Sequence, residues 1–429
     1  MPYPTLLPNS TWYKSSTNKS NITKVNIVNR YTPTGSENES WSADVGNAGD
    51  IKCYRTGTVV TIAGNGSGKI YANADSSNVF NGFGKITAVD GGAVLDTSKA
   101  TTFERMFQAT FALTTVDVSE WDTSNVTTLK AMFQAAPMVQ DLDVSNWDVS
   151  SVTNMDFFFY APGEQYYNNK LTSLDVSNWD VSKVTTMSGV FTGCTALQTL
   201  DVSNWDVSNV TIMKNMFRAC FSATHFDVSN WDVSKVTTME SMFQECSNLQ
   251  TLDVSNWDVG GVTNVVYMFY KCSKLASLDV SDWDVSSVTS MDHIFRECSR
   301  LTSLDVSNWD VSNVTTMYAA FYGCDSLTKI TLGTNFAFVG NDHYLPTPSS
   351  GFWYDIDKEP FAPEAIPNGA GTYFASTEIV DREAAKPMIV TQGSLLRTAK
   401  AIRTKAGNRT GYKPSEFPDG ILAIGEVTA

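Results

Sequence analysis

Apolar and polar residues alternate over short stretches in the middle of the chain. In one such stretch Leu249, Leu252 and Val254 are separated by polar residues, among them Asp253 and Ser255. Because side chains on a strand point alternately to its two faces, this pattern predicts a short strand with Leu and Val inward and Asp and Ser outward. The following segment, SNWDV, predicts a turn, since Ser, Asn and Asp side chains bond readily to nearby backbone groups.

A second apolar pattern, with helical spacing, precedes each predicted strand. In one repeat the apolar positions i, i+3, i+6, i+7 and i+10 are Val236, Met239, Met242, Phe243 and Cys246. This spacing places the apolar side chains on one helical face. Ser234 or Thr237 would cap the N-terminus of such a helix. Each unit is therefore predicted to consist of a strand, a turn and a short helix.

The same phrase recurs around eight tryptophans. Six of the seven intervals between them are 26 residues long and one is 32 residues long. The tryptophans are Trp121, Trp147, Trp179, Trp205, Trp231, Trp257, Trp283 and Trp309. A fixed period of this length predicts a solenoid, in which each repeat buries its apolar side against its neighbours. Stacked strand–turn–helix repeats would form an α/β fold, and the six extra residues near 161–170 are expected to bulge from the loop after a helix.

The repeat pattern fades at both ends, and this divides the chain into four predicted parts. Residues 77–335 form the solenoid of 26-residue repeats. Residues 1–76 contain β-branched runs broken by Gly and Asn, which predict a small β-rich N-terminal module with hairpins. Residues 336–387, rich in Pro, Gly and aromatic residues, predict an irregular or β-rich cap. Residues 388–429 include SLLRTAKAIRTKAG, which predicts a short basic helix in a C-terminal attachment module.

The acidic charge is concentrated in the repeats. The formal net charge is −15, and residues 95–330 carry 28 Asp and Glu against 13 Lys and Arg, which accounts for the whole excess. Such a surface repels nucleic acid and anionic membranes. No run of 18 or more apolar residues exists, so no membrane insertion is expected. The opening MPYPTLLPNSTWYK has no basic segment followed by an apolar core, and we expect no secretory signal there.

Six of the seven cysteines hold one position of the repeat. They are Cys194, Cys220, Cys246, Cys272, Cys298 and Cys324. A free buried cysteine behaves as a small apolar side chain, and we predict reduced thiols in the core. No Cys-x-x-Cys pair or Cys/His cluster indicates zinc.

Two aspartates recur in every repeat. Stacking places the outward strand carboxylates about 4.8 Å apart, where like charges repel. The ladder is therefore either solvated and held by turn hydrogen bonds, or an acidic face that binds a cationic partner or Ca²⁺. In the second case the binding residues would be Asp175, Asp201, Asp227, Asp253, Asp279 and Asp305. The second aspartate, such as Asp258, lies before each predicted helix, where negative charge suits a helix N-terminus.

The tryptophans and histidines offer little support for a catalytic site. The tryptophans form either a buried structural rib or an exposed aromatic strip for sugars, and their position after inward Leu and Val favours burial. His225, His293 and His343 do not recur and lie in no triad or metal motif. A glycosidase needs two carboxylates in different environments, whereas repetition gives every Asp nearly the same one. We therefore expect no enzymatic activity, no metal centre and no cofactor beyond Ca²⁺ on the acidic face.

The phrase LDVSNWDVSNVTTMxxMFxxC resembles the repeat of BspA-like leucine-rich-repeat surface proteins of Firmicutes and mycoplasmas. The resemblance covers roughly 250 residues, on the same periodicity that predicts the solenoid. It implies a right-handed, leucine-rich-repeat-like solenoid used for adhesion or recognition. The BspA-like proteins are in many cases secreted and attached to the cell.

Two shorter stretches resemble bacteriophage proteins. YKSSTNKSNITKVNIVNRYTPTGSENESW, with TVVTIAGNGSGKIYANADSS, is similar to the N-terminal region of repeat proteins of Firmicutes phages and prophages. LLRTAKAIRTKAGNRTGYKPSEFPDGILAI is similar to a short C-terminal module of phage tail and other virion proteins. These resemblances imply a virion component.

The expected function is that of a non-enzymatic bacteriophage structural protein, a tail or head fibre on the virion surface. Its terminal modules would attach to other virion proteins and support a homo-oligomer, and its repeat surface would bind a host cell-surface protein or glycan. One alternative is a BspA-like adhesin on the bacterial cell surface. The second alternative is a phage polysaccharide depolymerase.

Overall fold

The computed structural model describes residues 4–13, 19–45, 49–161, 163, 165, 167 and 170–384. The chain divides into two compact units, Met1–Thr377 and Glu378–Ala429. Helix α1 (Thr377–Ala384) is the only α-helix among the described residues. The attachment module predicted for residues 388–429 lies outside them.

The N-terminal part of the first unit is a six-stranded sheet that continues into the repeats. Its strands are β1 (Lys24–Val28), β2 (Glu39–Ser42), β3 (Lys52–Thr56), β4 (Val59–Ala63), β6 (Ala88–Asp90) and β8 (Thr115–Val116). They lie in the order β2-β3-β4-β1-β6-β8. The remaining strands of this region, β5 (Ile70–Tyr71) and β7 (Leu95–Asp96), form a separate parallel pair. Strands β3 and β4 form an antiparallel hairpin whose turn contains Gly57 at φ 61°, a conformation that glycine adopts without strain. From β1 onward the pairing is parallel, as it is between repeats.

The predicted strand at the repeated Leu is present but short. Along the repeats it is seen in β9 (His225–Phe226), β10 (Thr251–Leu252), β11 (Ser303–Val306) and β12 (Lys329–Leu332), and as bridges elsewhere. The pairs β9–β10 and β11–β12 are parallel. In β11 the outward residues Ser303 and Asp305 are exposed, whereas Leu304 and Val306 are buried, as the alternating pattern predicts.

A second parallel ladder joins the repeats about half a repeat away from the strands at the repeated Leu. It consists of single bridges that connect Thr102, Thr128, Asn154, Thr186, Ile212, Thr238, Asn264, Ser290 and Thr316 in succession. The bridge from Asn154 to Thr186 spans the 32-residue interval, so the insertion leaves the stacking of the repeats intact. Beside this ladder runs a column of exposed threonines. Each donates both its N–H and its Oγ1 hydrogen to the carbonyl of the threonine one repeat earlier, for example Thr237 to Thr211 at 2.9 and 3.1 Å.

The predicted helix in each repeat is wrong. Over residues 239–246 every second N–H donates to a carbonyl of the next repeat, as Met239 does to Asn264 and Phe243 does to Met268. Of the N–H groups between them, that of Glu240 donates to the Thr238 hydroxyl, and those of Met242, Gln244 and Cys246 donate to the carbonyl three residues back. A left-handed φ at Ser241 (57°) and Glu245 (64°) is incompatible with a continuous α-helix. The repeats therefore consist of strands and consecutive turns, and the α/β assignment is corrected.

The core is built from columns of identical side chains. Phenylalanines stack along the repeats with ring centroids 5.2–6.4 Å apart. The column runs through Phe80, Phe107, Phe133, Phe159, Phe191, Phe217, Phe243, Phe269, Phe295 and Phe321. Each ring is buried by its own repeat and by the two repeats next to it, so stability depends on contacts between neighbours.

An antiparallel strand terminates the parallel ladder. Strand β15 (Gly371–Phe374) pairs with β12, and β13 (Trp353–Tyr354) and β14 (Pro360–Phe361) extend the sheet in the order β11-β12-β15-β13-β14. Gly333 follows β12 where a Cβ atom would lie 1.7 Å from the Ser307 carbonyl oxygen, so only glycine fits at this close approach. Among the residues that the structure describes, no helix has the length and apolar character needed to cross a bilayer.

Candidate functional site

The eight repeat tryptophans form a buried aromatic rib. Their exposed fractions are 1–4 %. From Trp147 to Trp309 successive rings lie 6.2–6.5 Å apart and within 6° of parallel. A ring enclosed in this way offers no face to a sugar without unfolding, so we assign the rib a role in packing.

Seven of the eight indole N–H groups also form hydrogen bonds between repeats. The Nε1–H of Trp231 donates to the Val202 carbonyl at 3.1 Å, and the same bond recurs in the repeats from Trp147 to Trp309 at 3.0–3.1 Å. Trp121 differs, because its buried Nε1–H has no hydrogen-bond partner among the described residues. The first tryptophan of the rib therefore contributes packing without this bond between repeats.

The cysteine column is buried and reduced. Cys194, Cys220, Cys246, Cys272, Cys298 and Cys324 are free thiols with 0 % exposure. From Cys220 onward each Sγ–H donates to the carbonyl of a phenylalanine 29 residues earlier at 3.1–3.4 Å, as Cys246 does to Phe217. Burial raises the pKa of Cys246 to about 12 and that of Cys324 to about 12. These thiols pack as apolar side chains and are poor nucleophiles.

We predict that none of the seven thiols reacts with iodoacetamide at pH 8 in the folded protein. Their raised pKa values keep the thiolate fraction very low, and burial excludes the reagent. Mass spectrometry before and after addition of guanidinium chloride measures the number of labels. Rapid labelling of any column cysteine without denaturant would contradict the packing described above.

The outward strand aspartates, exposed except for the half-buried Asp227, are bonded within their own turns. In each repeat one carboxylate oxygen accepts hydrogen bonds from the serine two residues later. For Asp253 the distances are 3.1 Å to the Ser255 N and 2.7 Å to its Oγ. The same pair of bonds occurs at Asp117, Asp143, Asp175, Asp201, Asp227 and Asp279, and Asp305 accepts the Ser307 N–H at 3.0 Å. One oxygen of each carboxylate is thus engaged locally, and binding of a cationic partner or Ca²⁺ along Asp175–Asp305 stays a prediction.

The second aspartate of each repeat closes a turn rather than facing a helix N-terminus. Asp258 accepts the Gly260 N–H at 3.2 Å, and Asp310 accepts the Ser312 N–H at 3.0 Å. The Ser312 N–H, and then the Ser312 hydroxyl, lower the pKa of Asp310 below its ordinary value. The carboxylate satisfies a backbone donor in the turn, a role that aspartate commonly has.

Replacing Ser145 with alanine should return the pKa of Asp143 towards its ordinary value. The Ser145 hydroxyl is the largest cause of the lowered pKa, followed by the Ser145 backbone N–H. A lowered pKa means that the interaction contributes stability above the unfolded-state pKa and loses it as the pH falls through the folded value. The exposed position of Asp143 keeps this contribution small. Carboxyl NMR titration measures the change, with Asp201 and its intact Ser203 as the internal control. An unchanged Asp143 pKa would contradict the assignment.

Metal binding gains no geometric support from clustered ligands. Within the part of the chain that the structure describes, no group of three or more His, Cys, Asp and Glu side chains could hold a metal ion. His225 is exposed, whereas His293 and His343 are buried. Burial lowers the pKa of His293 and of His343, which favours neutral imidazoles.

A groove near the last repeats was not predicted from the sequence. It has a volume of about 750 Å³. Its walls are formed by residues that flank the column cysteines in sequence, and by the loop after the repeats. The lining residues are Ser247, Lys271, Ser273, Glu297, Ser299, Tyr322, Gly323, Asp325, Tyr344, Leu345, Pro346 and Thr347.

Tyrosines with exposed rings lie in and beside this groove. Tyr318 and Tyr322 are each 48 % exposed and Tyr344 is 45 % exposed. The Tyr344 ring is nearly perpendicular to both of the others, with centroids 6.1 Å from Tyr318 and 5.9 Å from Tyr322. Large exposed aromatic groups gathered in this way are typical of binding surfaces.

A cation and a histidine brace the tyrosines. The guanidinium of Arg296 lies 5.6 Å from the Tyr270 centroid and 4.9 Å from that of Tyr322, with Tyr270, Arg296 and Tyr322 at one position of successive repeats. His293 stacks on Tyr267 at 4.4 Å and meets Tyr318 edge-on at 5.2 Å. These contacts hold the ring positions in advance of any binding, which reduces the entropy lost on association.

The comparisons with known proteins concern the repeats. A family model described as "Mycoplasma protein of unknown function, DUF285" matches residues 74–177, 163–274 and 246–344. No curated protein matches the chain.

Two solved structures show a distant similarity. One is a chain of a TLR13–ssRNA13 complex, with 14 % identity, a TM-score of 0.29, and coverage of 65 % of this chain and 38 % of that chain. The other is the functional domain of InlJ from Listeria monocytogenes, which includes a cysteine ladder, with 13 % identity, a TM-score of 0.17, and coverage of 62 % and 53 %. The chain spans less than two thirds of the length of either structure. The family model, in contrast, matches well over half of the chain, and the protein belongs to the DUF285 family.

Proposed function

We propose that the protein is a non-enzymatic surface protein whose stacked repeats form a solenoid and present a binding site. The observation that carries this proposal is the groove of about 750 Å³ with its braced, half-exposed tyrosines. Its volume falls in the range typical of ligand sites, and a rigid stack holds its walls in place. The absence of catalysis is part of the proposal, and the near-identical Ser contacts of the repeated aspartates support it.

Two locations are compatible with this role. Membership of the DUF285 family supports display on a bacterial cell surface, as in BspA-like adhesins. The resemblance of the two terminal stretches to phage proteins instead favours a tail or head fibre on the virion. In that case the termini would contact other virion proteins and support a homo-oligomer. Mass spectrometry of purified virions and of peptides shaved from intact cells by protease distinguishes the two locations.

Binding to cells tests the proposal itself. Labelled full-length protein should bind intact bacteria saturably, and the double variant Tyr322→Ala, Tyr344→Ala should bind more weakly. Phe352→Ala is the matched control, because Phe352 is an aromatic residue of equal exposure (45 %) that does not line the groove. If the protein bound saturably to none of the bacterial species tested, the proposed function would be contradicted. Release of soluble sugar from polysaccharide by the pure protein would instead support a depolymerase.

A further inference from the structure

We propose that the tyrosine groove binds a linear, electrically neutral glycan. This inference rests on the proposed binding function and specifies the class of ligand. Four features of the groove lead to it: the arrangement of the rings, the polar groups between them, the presence of charges of both signs, and the direction in which the walls run.

The rings suit a sugar because a pyranose has an apolar C–H face and a polar rim. Tyr322 and Tyr344 present two half-exposed rings at 83° to each other, 5.9 Å apart. One ring can stack on the face of a sugar while the other packs against its edge, and each phenol oxygen can bond a hydroxyl. The backbone N–H of the neighbouring Tyr318 donates to an Asp292 oxygen at 2.7 Å, which fixes the chain at this point.

The polar lining is rich in hydrogen-bonding groups of the kind that hydroxyls need. Ser273 and Ser299 donate their own hydrogens to the preceding serine carbonyls, at 3.3 Å each, and this leaves their oxygens free to accept from a ligand. Glu297 and Asp325 add carboxylate acceptors to the same wall, and Lys271 adds a donor. A sugar hydroxyl both donates and accepts, so it can use all three kinds of group.

The charged side chains in and beside the groove are of both signs, whereas the outward strand ladder carries only aspartates. Lys271, Glu297 and Asp325 line the groove, and Arg296 beside it forms an ion pair with Glu297 at 3.3 Å. A hydrogen bond with Tyr270 raises the pKa of Lys271, so that its ammonium stays protonated. A polyanion would meet the net charge of −15, and a polycation would meet the ammonium of Lys271 and the guanidinium of Arg296. A neutral ligand encounters neither problem.

The groove follows the stacking direction, and its backbone is already paired. Three successive repeats contribute equivalent residues, Ser247, Ser273 and Ser299, so a linear chain can extend from one repeat to the next. The N–H groups of Lys271 and Glu297 donate to the carbonyls of Arg296 and Tyr322 in the next repeat, at 2.8 and 2.6 Å. An extended peptide that binds by adding a strand needs unpaired backbone groups at the edge, and these are occupied here. The occupied backbone favours a glycan over a peptide.

A panel of immobilised glycans tests the inference with the full-length protein. The panel holds neutral chains (β-glucans, galactomannans and chitin oligomers) beside sulfated and sialylated ones. We expect binding to at least one neutral chain, weakened roughly tenfold by Tyr322→Ala, and by less than about threefold in Tyr322→Phe, which keeps the ring. Phe352→Ala should bind as the parent does. Circular dichroism confirms that each variant is folded.

The opposite results would overturn the inference in recognisable ways. Binding to no neutral chain, or binding that survives Tyr322→Ala, excludes the groove as a neutral-glycan site. Cells treated with periodate or with protease separate this failure from failure of the proposed function. If the protein binds cells saturably, and protease but not periodate removes that binding, the partner is a protein. In that case the proposed binding function stands, and the inference that the ligand is a glycan is wrong.

Discussion

Replacing Trp231 with alanine is expected to lower the free energy of unfolding by about 3–5 kcal/mol. The ring is 3 % exposed and stacks on Trp205 and Trp257 at 6.4 and 6.5 Å, within 2° of parallel. Its removal would leave a cavity in the middle of the rib that rings held by neighbouring repeats cannot fill. Denaturant unfolding followed by circular dichroism measures the loss. A change below about 1 kcal/mol would mean that the rib is not a major source of stability.

The hydrogen bond of the indole can be separated from its packing by comparing two phenylalanine variants. Trp231→Phe loses the bond from Nε1 to the Val202 carbonyl, whereas the Nε1–H of Trp121 has no such partner to lose. Trp231→Phe should therefore lower the free energy of unfolding by about 1 kcal/mol more than Trp121→Phe does. Equal losses in the two variants would indicate that the bond adds little beyond the stacking.

The inward-facing residues could be predicted from the sequence, but the path of the backbone could not. Met239, Met242, Phe243 and Cys246 are buried, as the apolar spacing requires. The same spacing is compatible with a helix and with consecutive turns, because both place these side chains on the inner face. Whether the backbone forms a helix or turns depends on which carbonyls accept its N–H groups. Here the acceptors lie in the next repeat, as the Asn264 carbonyl does for the Met239 N–H. Lateral bonding of this kind depends on stacking, which a pattern within one repeat does not reveal.

The groove escaped prediction for a different reason. The repeat period draws attention to positions that are the same in every unit, whereas Tyr270, Arg296 and Tyr322 occupy a position where the units differ. A bulky aromatic residue at a variable, outward position of successive repeats was the available signal. Tyr344 had no signal of this kind, because it lies beyond the repeats and reaches Tyr322 through the loop that follows them.

The aspartates show what a local motif can and cannot indicate. In the sequence each outward Asp is followed two residues later by Ser, and the structure joins the pair by hydrogen bonds, as in Asp279 and Ser281. That turn bond was one of the two interpretations of the ladder. A ligand on the opposite carboxylate oxygen would not disturb it, so binding experiments with Ca²⁺ and with cationic partners decide the other.

Deleting one whole repeat should preserve the fold. Deleting half a repeat should interrupt the hydrogen-bonded ladders between the repeats. Removal of residues 232–257 takes out 26 residues and joins Trp231 to Asp258, which restores the repeated phrase. The acceptors for the preceding repeat are then replaced by equivalent ones: Phe217 would donate to the Met268 carbonyl in place of the Met242 carbonyl. We expect a folded protein with a single unfolding transition at a somewhat lower denaturant concentration, since each repeat adds its own contacts and one interface.

Removal of residues 232–244 takes out half of the same repeat. The chain would then lack the segment that supplies acceptors to Met213 and Phe217 and donors to Asn264 and Met268, so the ladders on the two sides could not join. Every buried N–H and carbonyl at the break would lose its partner together with the stacking of the Phe and Trp columns, a loss that single substitutions do not approach. We expect no single cooperative transition and rapid proteolysis near the junction. If the shorter deletion unfolded as cooperatively as the longer one, stability would not depend on the register between repeats, and stacking would not be what holds this chain together.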